Sequence, residues 1–308
     1  MSLFVYLITY TGIIIFCTAV LKRIVSYINN PIHVRWELYP VAHEGGGKAE
    51  YGGSYLEDVE WWNKPRQTSK INELKVMAAE ILGLKAVHEY NRPLWFVTYP
   101  FHLGLYFTIM FLVFLFIGSI AGLFGMKALT VMAIVKFTGP LGFILTLCGA
   151  AGLLYKRLTD EQLKIYSSVE HYFNLILFMV TTGIAILTWL FVDQDFDMAK
   201  TFMTGVISFN LTGISNPLFL IQILLAVATI TYIPFTHMSH FFMKYFLYHD
   251  IRWDDKPNID SPETNEKINV VLNYPVTWSA EHIAGHNKKT WAEVATFNPH
   301  QAPSEKEK

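Results

Sequence analysis

Five long stretches of the chain contain no Asp, Glu, Lys or Arg, and they constrain the fold more than any other feature. These stretches are residues 3–21, 93–126, 137–155, 171–192 and 201–243. A helix that crosses the hydrocarbon core of a bilayer needs about 20 mainly apolar residues. Charged residues make up only 16% of the 308 residues, against about 25% in an ordinary soluble domain. The sequence therefore predicts an all-α integral membrane protein.

The apolar stretches predict a bundle of five transmembrane helices with a cytoplasmic loop and a cytoplasmic tail. The predicted spans are residues 3–22, 95–124, 128–155, 171–192 and 217–243. The predicted parts of the chain are a first transmembrane helix (1–28), a cytoplasmic loop with an amphipathic helix (29–94), a four-helix membrane core (95–248) and a C-terminal tail (249–308). Residues 201–212 are too short to cross alone, so we expect an interfacial or re-entrant helix there; two tightly linked spans are the alternative.

Basic residues predict how the chain is oriented in the membrane. Lys22 and Arg23 follow the first apolar run, which is the reverse of a secretory signal. Cytoplasmic loops carry an excess of Lys and Arg, and the outer ends of the predicted spans offer only Lys127, Lys136 and Lys200. We therefore expect an inner-membrane protein with its N-terminus outside and its C-terminus in the cytoplasm.

Charge and cysteine content exclude two classes of protein. The formal net charge is −1, which is not that of a generally basic nucleic-acid binder. The two cysteines, Cys17 and Cys148, both lie in apolar stretches. An iron–sulfur cluster takes about four thiolates, so we expect any iron–sulfur centre to belong to a partner and not to this chain.

Histidines inside the apolar spans are the candidate functional residues. His102 lies in the second span, His171 begins the fourth, and His237 and His240 lie near the end of the fifth. Ionisable groups within a membrane are costly and commonly mark functional sites. His102 and His240 are expected at similar depths in the inner half of the bilayer, on different helices. Such a pair can bind a haem iron from both sides, whereas hydrogen bonding between helices is the structural alternative.

The remaining candidates are expected to contact a haem propionate or a quinone. His237 and His240 are three residues apart on one predicted helix face, so only one of them is expected to bind the iron. His171 follows Glu170 at the inner boundary, where a plain interfacial histidine, a quinone contact and a second-haem ligand are all open. Lys136 is the one charge within the third span; it either extends to the interface or donates a hydrogen bond to a quinone carbonyl.

Two glycines follow His102 on the second predicted span. Gly104 and Gly118 reduce the side-chain bulk of this helix. Because a porphyrin is flat and wide, we interpret these glycines as room for its close approach.

This arrangement resembles the gamma subunit of respiratory nitrate reductase and its relatives, the membrane cytochrome b subunits of heterodisulfide reductase and of sulfate-reducer transmembrane redox complexes. Residues 99–104 (YPFHLG) are similar to the family's first haem-ligand segment. Residues 233–240 (IPFTHMSH) are similar to its fifth-span motif, and the match falls on His240. Residues 35–40 (RWELYP) and 289–295 (KTWAEVA) look closest to the sulfate-reducer complexes.

The resemblance implies a haem b-containing electron-transfer subunit of a respiratory oxidoreductase complex. Its axial ligands would be His102 and His240, and its substrate menaquinone or another quinone. Its electrons would pass to or from a cytoplasmic, heterodisulfide reductase-like iron–sulfur subunit, and the family also allows a periplasmic multihaem cytochrome c as partner. Diheme members carry a second ligand pair at the positions of Leu112 and Gln222. Since leucine cannot bind iron, we expect one haem b here; a second haem through His171 or His237 is the alternative.

Two other classes of function remain open from the sequence. The intramembrane histidines can form a protonation relay in a proton or ion carrier. The chain can also be a haemless anchor whose histidines only bridge helices. A b-type spectrum of the purified protein would support the electron carrier, and its absence would support one of these two alternatives.

Overall fold

The structure is a computed structural model that describes residues 2–29, 41–45, 47–252, 261–280, 283–284 and 288–297. Residues 35–40, which carry part of the resemblance, lie outside the described residues. The helices are α1 (Ser2–Ile28), α2 (Lys70–Leu82), α3 (Lys85–Tyr90), α4 (Arg92–Leu123), α5 (Leu129–Thr159), α6 (Glu161–Ile165), α7 (Val169–Phe191), α8 (Asp197–Ser208), α9 (Pro217–Tyr232), α10 (His240–Phe246), α11 (Pro262–Leu272) and α12 (Trp291–Thr296). A π-helix, Leu247–Arg252, follows α10, and Ser279–Ala280 pairs antiparallel with Ile283–Ala284.

Five of the described helices are long and apolar enough to cross a membrane. They are Leu3–Ile28, Arg92–Leu123, Leu129–Thr159, Val169–Phe191 and Pro217–Phe235. The prediction of an all-α, five-helix, multi-pass membrane protein is therefore confirmed. The stretch before the fifth span forms α8, whose 12 residues are about 18 Å long and too short to cross.

The chain folds as two compact units that interleave along the sequence. The first contains Met1–Leu21 and Lys75–Ser239, and the second contains Lys22–Leu74 and His240–Lys308. The sequence analysis separated the loop from the tail, whereas the structure assigns most of both to the second unit. A hydrogen bond between His249 and Glu73 joins the tail side of this unit to the loop side.

In the first unit, α4 and α5 approach each other backbone to backbone. A Cβ atom on Gly104 would lie 2.3 Å from the Thr146 amide nitrogen, and one on Gly149 would lie 2.3 Å from the Phe101 amide nitrogen. Gly142 faces Thr108 in the same way, at 2.7 Å. Any larger residue at these positions would force the two helices apart.

Two apolar clusters complete the core on either side of this contact. One contains Phe111, Leu115, Val135, Phe143, Ala185 and Phe196, and the other contains Phe101, Ala150, Leu153, Leu175 and Phe178. α7 packs on α5, α9 packs on α7, and α8 packs on α4. These contacts place α5 and α7 at the centre of the first unit.

The N-terminal half of α1 packs on α8, α9 and the segment between them. Tyr6 is fully buried, and its hydroxyl hydrogen-bonds to the Thr212 hydroxyl at 2.8 Å. A Cβ atom on Gly12 would lie 2.6 Å from the Val227 side chain, so α1 and α9 also pack closely.

The predicted amphipathic helix of the loop is present as α2. The Ser69 hydroxyl accepts a hydrogen bond from the Asn72 amide, as expected of a residue that caps this helix. The carbonyls of Ile81 and Gly83, at the end of α2, accept hydrogen bonds from Tyr106 Oη and Trp95 Nε1 of α4, at 2.5 and 2.9 Å. These bonds anchor the end of α2 beside the second span.

In the second unit, polar contacts hold the loop together and join it to the chain after the fifth span. The Glu44 carboxylate is 3% exposed and accepts hydrogen bonds from the Ser54 hydroxyl and the Tyr55 amide. His249 Nε2 lies 2.8 Å from Glu73 Oε1, which connects the chain after the fifth span to the start of α2.

The close contact between α4 and α5 generates a stability prediction. In Gly104→Ala the added methyl group would overlap the Thr146 backbone. This substitution should destabilise the protein by about 1–3 kcal/mol. Gly183→Ala is the matched control, because a Cβ atom there meets nothing within 4 Å; its effect should range from neutral to about 1 kcal/mol stabilising. Thermal unfolding of the detergent-solubilised protein measures both. Equal unfolding midpoints in the two variants would contradict the described contact.

Candidate functional site

His102 lies on α4 with one ring nitrogen bonded to its own helix. Nδ1 is 2.9 Å from the Thr98 carbonyl oxygen, one turn earlier. A carbonyl oxygen only accepts hydrogen bonds, so Nδ1 must carry the proton. The neutral ring then has its lone pair on Nε2, which is the state that a metal-binding histidine needs. The protonation of His102 therefore fits axial ligation of a haem iron.

The structure gives the two glycines on this helix a different role from the predicted one. Gly104 faces the Thr146 backbone, and a Cβ atom on Gly118 would lie 3.3 Å from the side chains of Val131 and Met132. All three neighbours belong to α5. The prediction that these glycines make room for a porphyrin is wrong, because the space that they leave is filled by the neighbouring helix.

The fifth span ends earlier than predicted, and this changes the setting of its histidines. α9 ends at Tyr232, and short 3-10 turns follow at Ile233–Phe235 and His237–Ser239. Pro234 has no amide hydrogen for the Ile230 carbonyl, and the α-helix gives way to a 3-10 turn at this residue. His237 therefore lies in a turn and His240 begins α10, rather than sharing one helix face. The expected span over 217–243 is wrong for this reason.

The predicted haem ligands are divided between the two units. His102 belongs to the first unit and the exposed His240 to the second. The pairing of these two residues stays a prediction.

His171 and His237, by contrast, meet within the first unit. Their ring centroids are 4.8 Å apart, and His237 Nδ1 lies 3.3 Å from Glu170 Oε1. His171 Nδ1 accepts a hydrogen bond from the Ser168 amide at 3.0 Å, which closes a capping box at the start of α7. Three titratable side chains are thus collected where α7 begins and the fifth span ends.

One buried residue beside this cluster escaped the sequence analysis. Asn174 is 4% exposed, and both of its side-chain polar atoms lack a hydrogen-bond partner. Its side chain approaches the Glu170 carboxylate without the geometry of a hydrogen bond. Helical spacing alone places it on the face of Glu170 and His171, four and three residues earlier. A search for polar residues at those spacings would have found it.

Lys136 is placed at the opposite end of the bundle. Its Nζ lies 2.6 Å from Asp195 Oδ1, in the connection between α7 and α8. Both side chains are about half exposed or more, at 47% and 67%. Lys136 therefore has a carboxylate as its partner, an interaction that the sequence analysis did not predict.

Leu112 and Gln222, the positions compared with a second ligand pair in the sequence analysis, are occupied in different ways. Leu112 packs against the apolar cluster that contains Phe111 and Leu115. Gln222 has a buried Oε1 without a hydrogen-bond partner. Within the described residues, no group of three or more His, Cys, Asp or Glu side chains is arranged to hold a bare metal ion.

Two comparisons with known proteins found no match to this chain. No protein-family model matches the chain, and no curated protein matches it at a significant level. The fold defines the class, an all-α multi-pass membrane protein. Its function is argued from its own residues.

The Lys136–Asp195 pair generates a prediction at the outer end. Lys136→Gln and Asp195→Asn should each destabilise the protein, and the double variant should lose little more than either single variant. The coupling free energy should be about 0.2–1 kcal/mol, as for other exposed pairs. A double-mutant cycle of unfolding free energies measures it. Strictly additive effects would show that the two charges do not interact.

Proposed function

We propose that the chain is the haem b-containing membrane subunit of a respiratory oxidoreductase complex. It transfers electrons between the membrane quinone pool and a cytoplasmic iron–sulfur subunit. The observation that carries the proposal is the state of His102, whose Nδ1 bonds to the Thr98 carbonyl and leaves the lone pair on Nε2. A histidine that served only to bridge helices would not require this tautomer.

In this proposal His102 and His240 are the residues that would hold one haem b. The haem supplies one-electron redox chemistry when it is bound. The chain orients the His102 ring through the Thr98 carbonyl, and the apolar cluster around Phe101 and Phe178 excludes water nearby. Both effects adjust a haem potential: the first by making the ligand more basic, the second by lowering the local dielectric constant.

The packing of the outer half of the bundle supports a single haem, at the other end. Leu112 has no atom that binds iron, and Phe111, Val135, Phe143 and Phe196 fill the surrounding core. Of the alternative second-haem ligands, His171 accepts a hydrogen bond at Nδ1, so its neutral ring carries the proton on Nε2 and is not prepared to bind iron. These contacts favour one haem over two.

The second unit and α2 are the proposed docking surface for an iron–sulfur subunit of the heterodisulfide reductase type. Ile71 and Leu74 of α2 are each 68% exposed, although they lie on the apolar face of an amphipathic helix. Such residues commonly mark a protein or membrane contact. A periplasmic multihaem cytochrome c would dock at the opposite side of the membrane.

The proposed orientation has the N-terminus outside and the C-terminus in the cytoplasm. Lys156 and Arg157 lie in the last turn of α5 at the proposed inner face. At the proposed outer face, Asp193 and Asp195 lie between α7 and α8, and Asp197 begins α8. This distribution follows the positive-inside rule.

Cysteine labelling tests this orientation. We expect Asp195→Cys to react with a membrane-impermeant maleimide in intact spheroplasts, and Lys267→Cys to react only after permeabilisation. A background that lacks Cys17 and Cys148 removes the native thiols. The opposite labelling pattern would invert the topology and remove the argument for a cytoplasmic partner.

Haem content tests the function directly. The purified protein should give a b-type spectrum after reduction with dithionite, and His102→Ala and His240→Ala should each abolish it. His88→Ala is the control, since His88 lies on α3 and contacts the Trp95 ring; it should keep the full signal. Full haem in both ligand variants would falsify the assignment. A wild-type protein without haem would favour the proton carrier or the anchor, and proton flux in liposomes would separate those two.

A further inference from the structure

We propose that Glu170, His171, Asn174 and His237 form the headgroup site for the quinone, at the end of the bundle that we assign to the cytoplasmic face. The Glu170–His237 pair would exchange the substrate's protons with water. This inference rests on the proposed function, because the site needs an electron carrier nearby. The sequence places His237 three residues before the proposed haem ligand His240.

The two histidines present complementary hydrogen-bonding groups. His171 Nδ1 accepts the Ser168 amide hydrogen, so the neutral ring carries its proton on Nε2 and can donate to a quinone carbonyl. His237 Nδ1 faces the Glu170 carboxylate, so its neutral ring donates there and has its lone pair on Nε2. That atom accepts a hydrogen bond from a hydroquinone hydroxyl. The pair therefore suits both redox states of the substrate.

Asn174 is the second, independent indication of a ligand. A buried polar atom without a partner destabilises a folded protein, and Asn174 has two of them. Its amide can donate to a quinone oxygen, and its carbonyl can accept from a hydroquinone hydroxyl. A bound headgroup would remove a cost that the described structure leaves unexplained.

The surroundings favour a ligand that arrives through the lipid. Phe173 and Tyr232 pack edge to face at 5.5 Å beside the cluster, and Val169 is 85% exposed on the same end of α7. These apolar side chains can contact an isoprenoid tail. Glu170 and His237 are each about half exposed, at 48% and 50%, so the polar side of the cluster remains accessible to water.

The proposed exchange conserves protons and electrons. Each hydroquinone that is oxidised loses two electrons and two protons and becomes a quinone. A bound haem b would supply the one-electron acceptor for these two electrons, and the iron–sulfur partner would be the next acceptor. The first proton passes from a hydroxyl to His237 Nε2, while the Nδ1 proton passes to Glu170 and on to water. The His237 ring, which is about half exposed, then exchanges its protons with water and regains the lone pair on Nε2, so the second hydroxyl proton leaves by the same route. Reduction of a quinone runs the same transfers in reverse.

Photolabelling locates the site without relying on haem. An azido-naphthoquinone is irradiated with the full-length protein in liposomes, with menadione as competitor, and the labelled peptides are identified by mass spectrometry. We expect menadione-sensitive label within residues 161–176 and 232–240. Label within residues 129–140 and 193–205, near Lys136, would overturn the proposal in favour of the other end of the bundle. Absence of specific label would also overturn it.

Variants then separate a quinone site from a merely structural cluster. Glu170→Gln keeps the side-chain shape and should slow haem reduction by menadiol by about 10²-fold or more, the usual contribution of a positioned acid or base, and should flatten its pH dependence. Asn174→Leu should weaken menadione competition at least tenfold while raising the unfolding temperature, because it removes two unpaired polar atoms. The control Glu161→Gln, on the exposed face of α6, should change neither quantity.

The outcomes distinguish this proposal from the one on which it rests. Dithionite-reduced spectra report haem independently of quinone. Normal haem with wild-type menadiol kinetics in Glu170→Gln and Asn174→Leu would overturn the quinone site and leave the cytochrome assignment standing. Specific photolabel in a protein without haem would preserve the site and overturn the cytochrome assignment. A loss of stability in Asn174→Leu, with unchanged menadione competition, would assign the residue a structural role.

Discussion

The backbone contact between α4 and α5 is the interaction on which the rest of the first unit depends. Apolar side chains gain little by moving from lipid to a helix interface, so helices in membranes associate largely through close packing. Gly104, Gly142 and Gly149 allow that packing because each faces backbone or Cβ atoms of the opposite helix. α7 and α8 then pack on this pair. The same contact fixes the position of the helix that carries His102, two residues before Gly104.

Polar groups in the first unit are paired at the two ends of α7. Lys136 and Asp195 pair near its C-terminal end, and Glu170 and His237 pair at its N-terminal end. Pairing reduces the cost of placing such groups beside hydrocarbon. The two ends differ in the groups that a headgroup could use, because the Asn174 amide, which can both donate and accept, lies at the Glu170 end together with His171 and His237. That difference is why we assign the quinone to this end.

Much of the fold could be read from the chain because lipid imposes a simple rule. In a membrane, every backbone polar group must form its hydrogen bond within the spanning segment. Uncharged stretches of sufficient length therefore form helices, and the five spans could be predicted from the sequence. The break at Pro234 was also present in the sequence. Its consequence for His237 and His240 was missed, because the uncharged run continues past it and hydropathy does not detect a lost hydrogen bond.

The sequence by itself determined the class of protein, the number of spans, the cap at Ser69 and the residue types of the candidate site. Only the tertiary structure decided which of those residues meet. Glu170 and His237 are 67 residues apart, and Lys136 and Asp195 are 59 apart, so their contacts depend on how α5, α7 and the fifth span pack. The role of Gly104 was decided in the same way. Its lack of a side chain is visible in the sequence, but the identity of the neighbour that fills the space is a property of the packed helices.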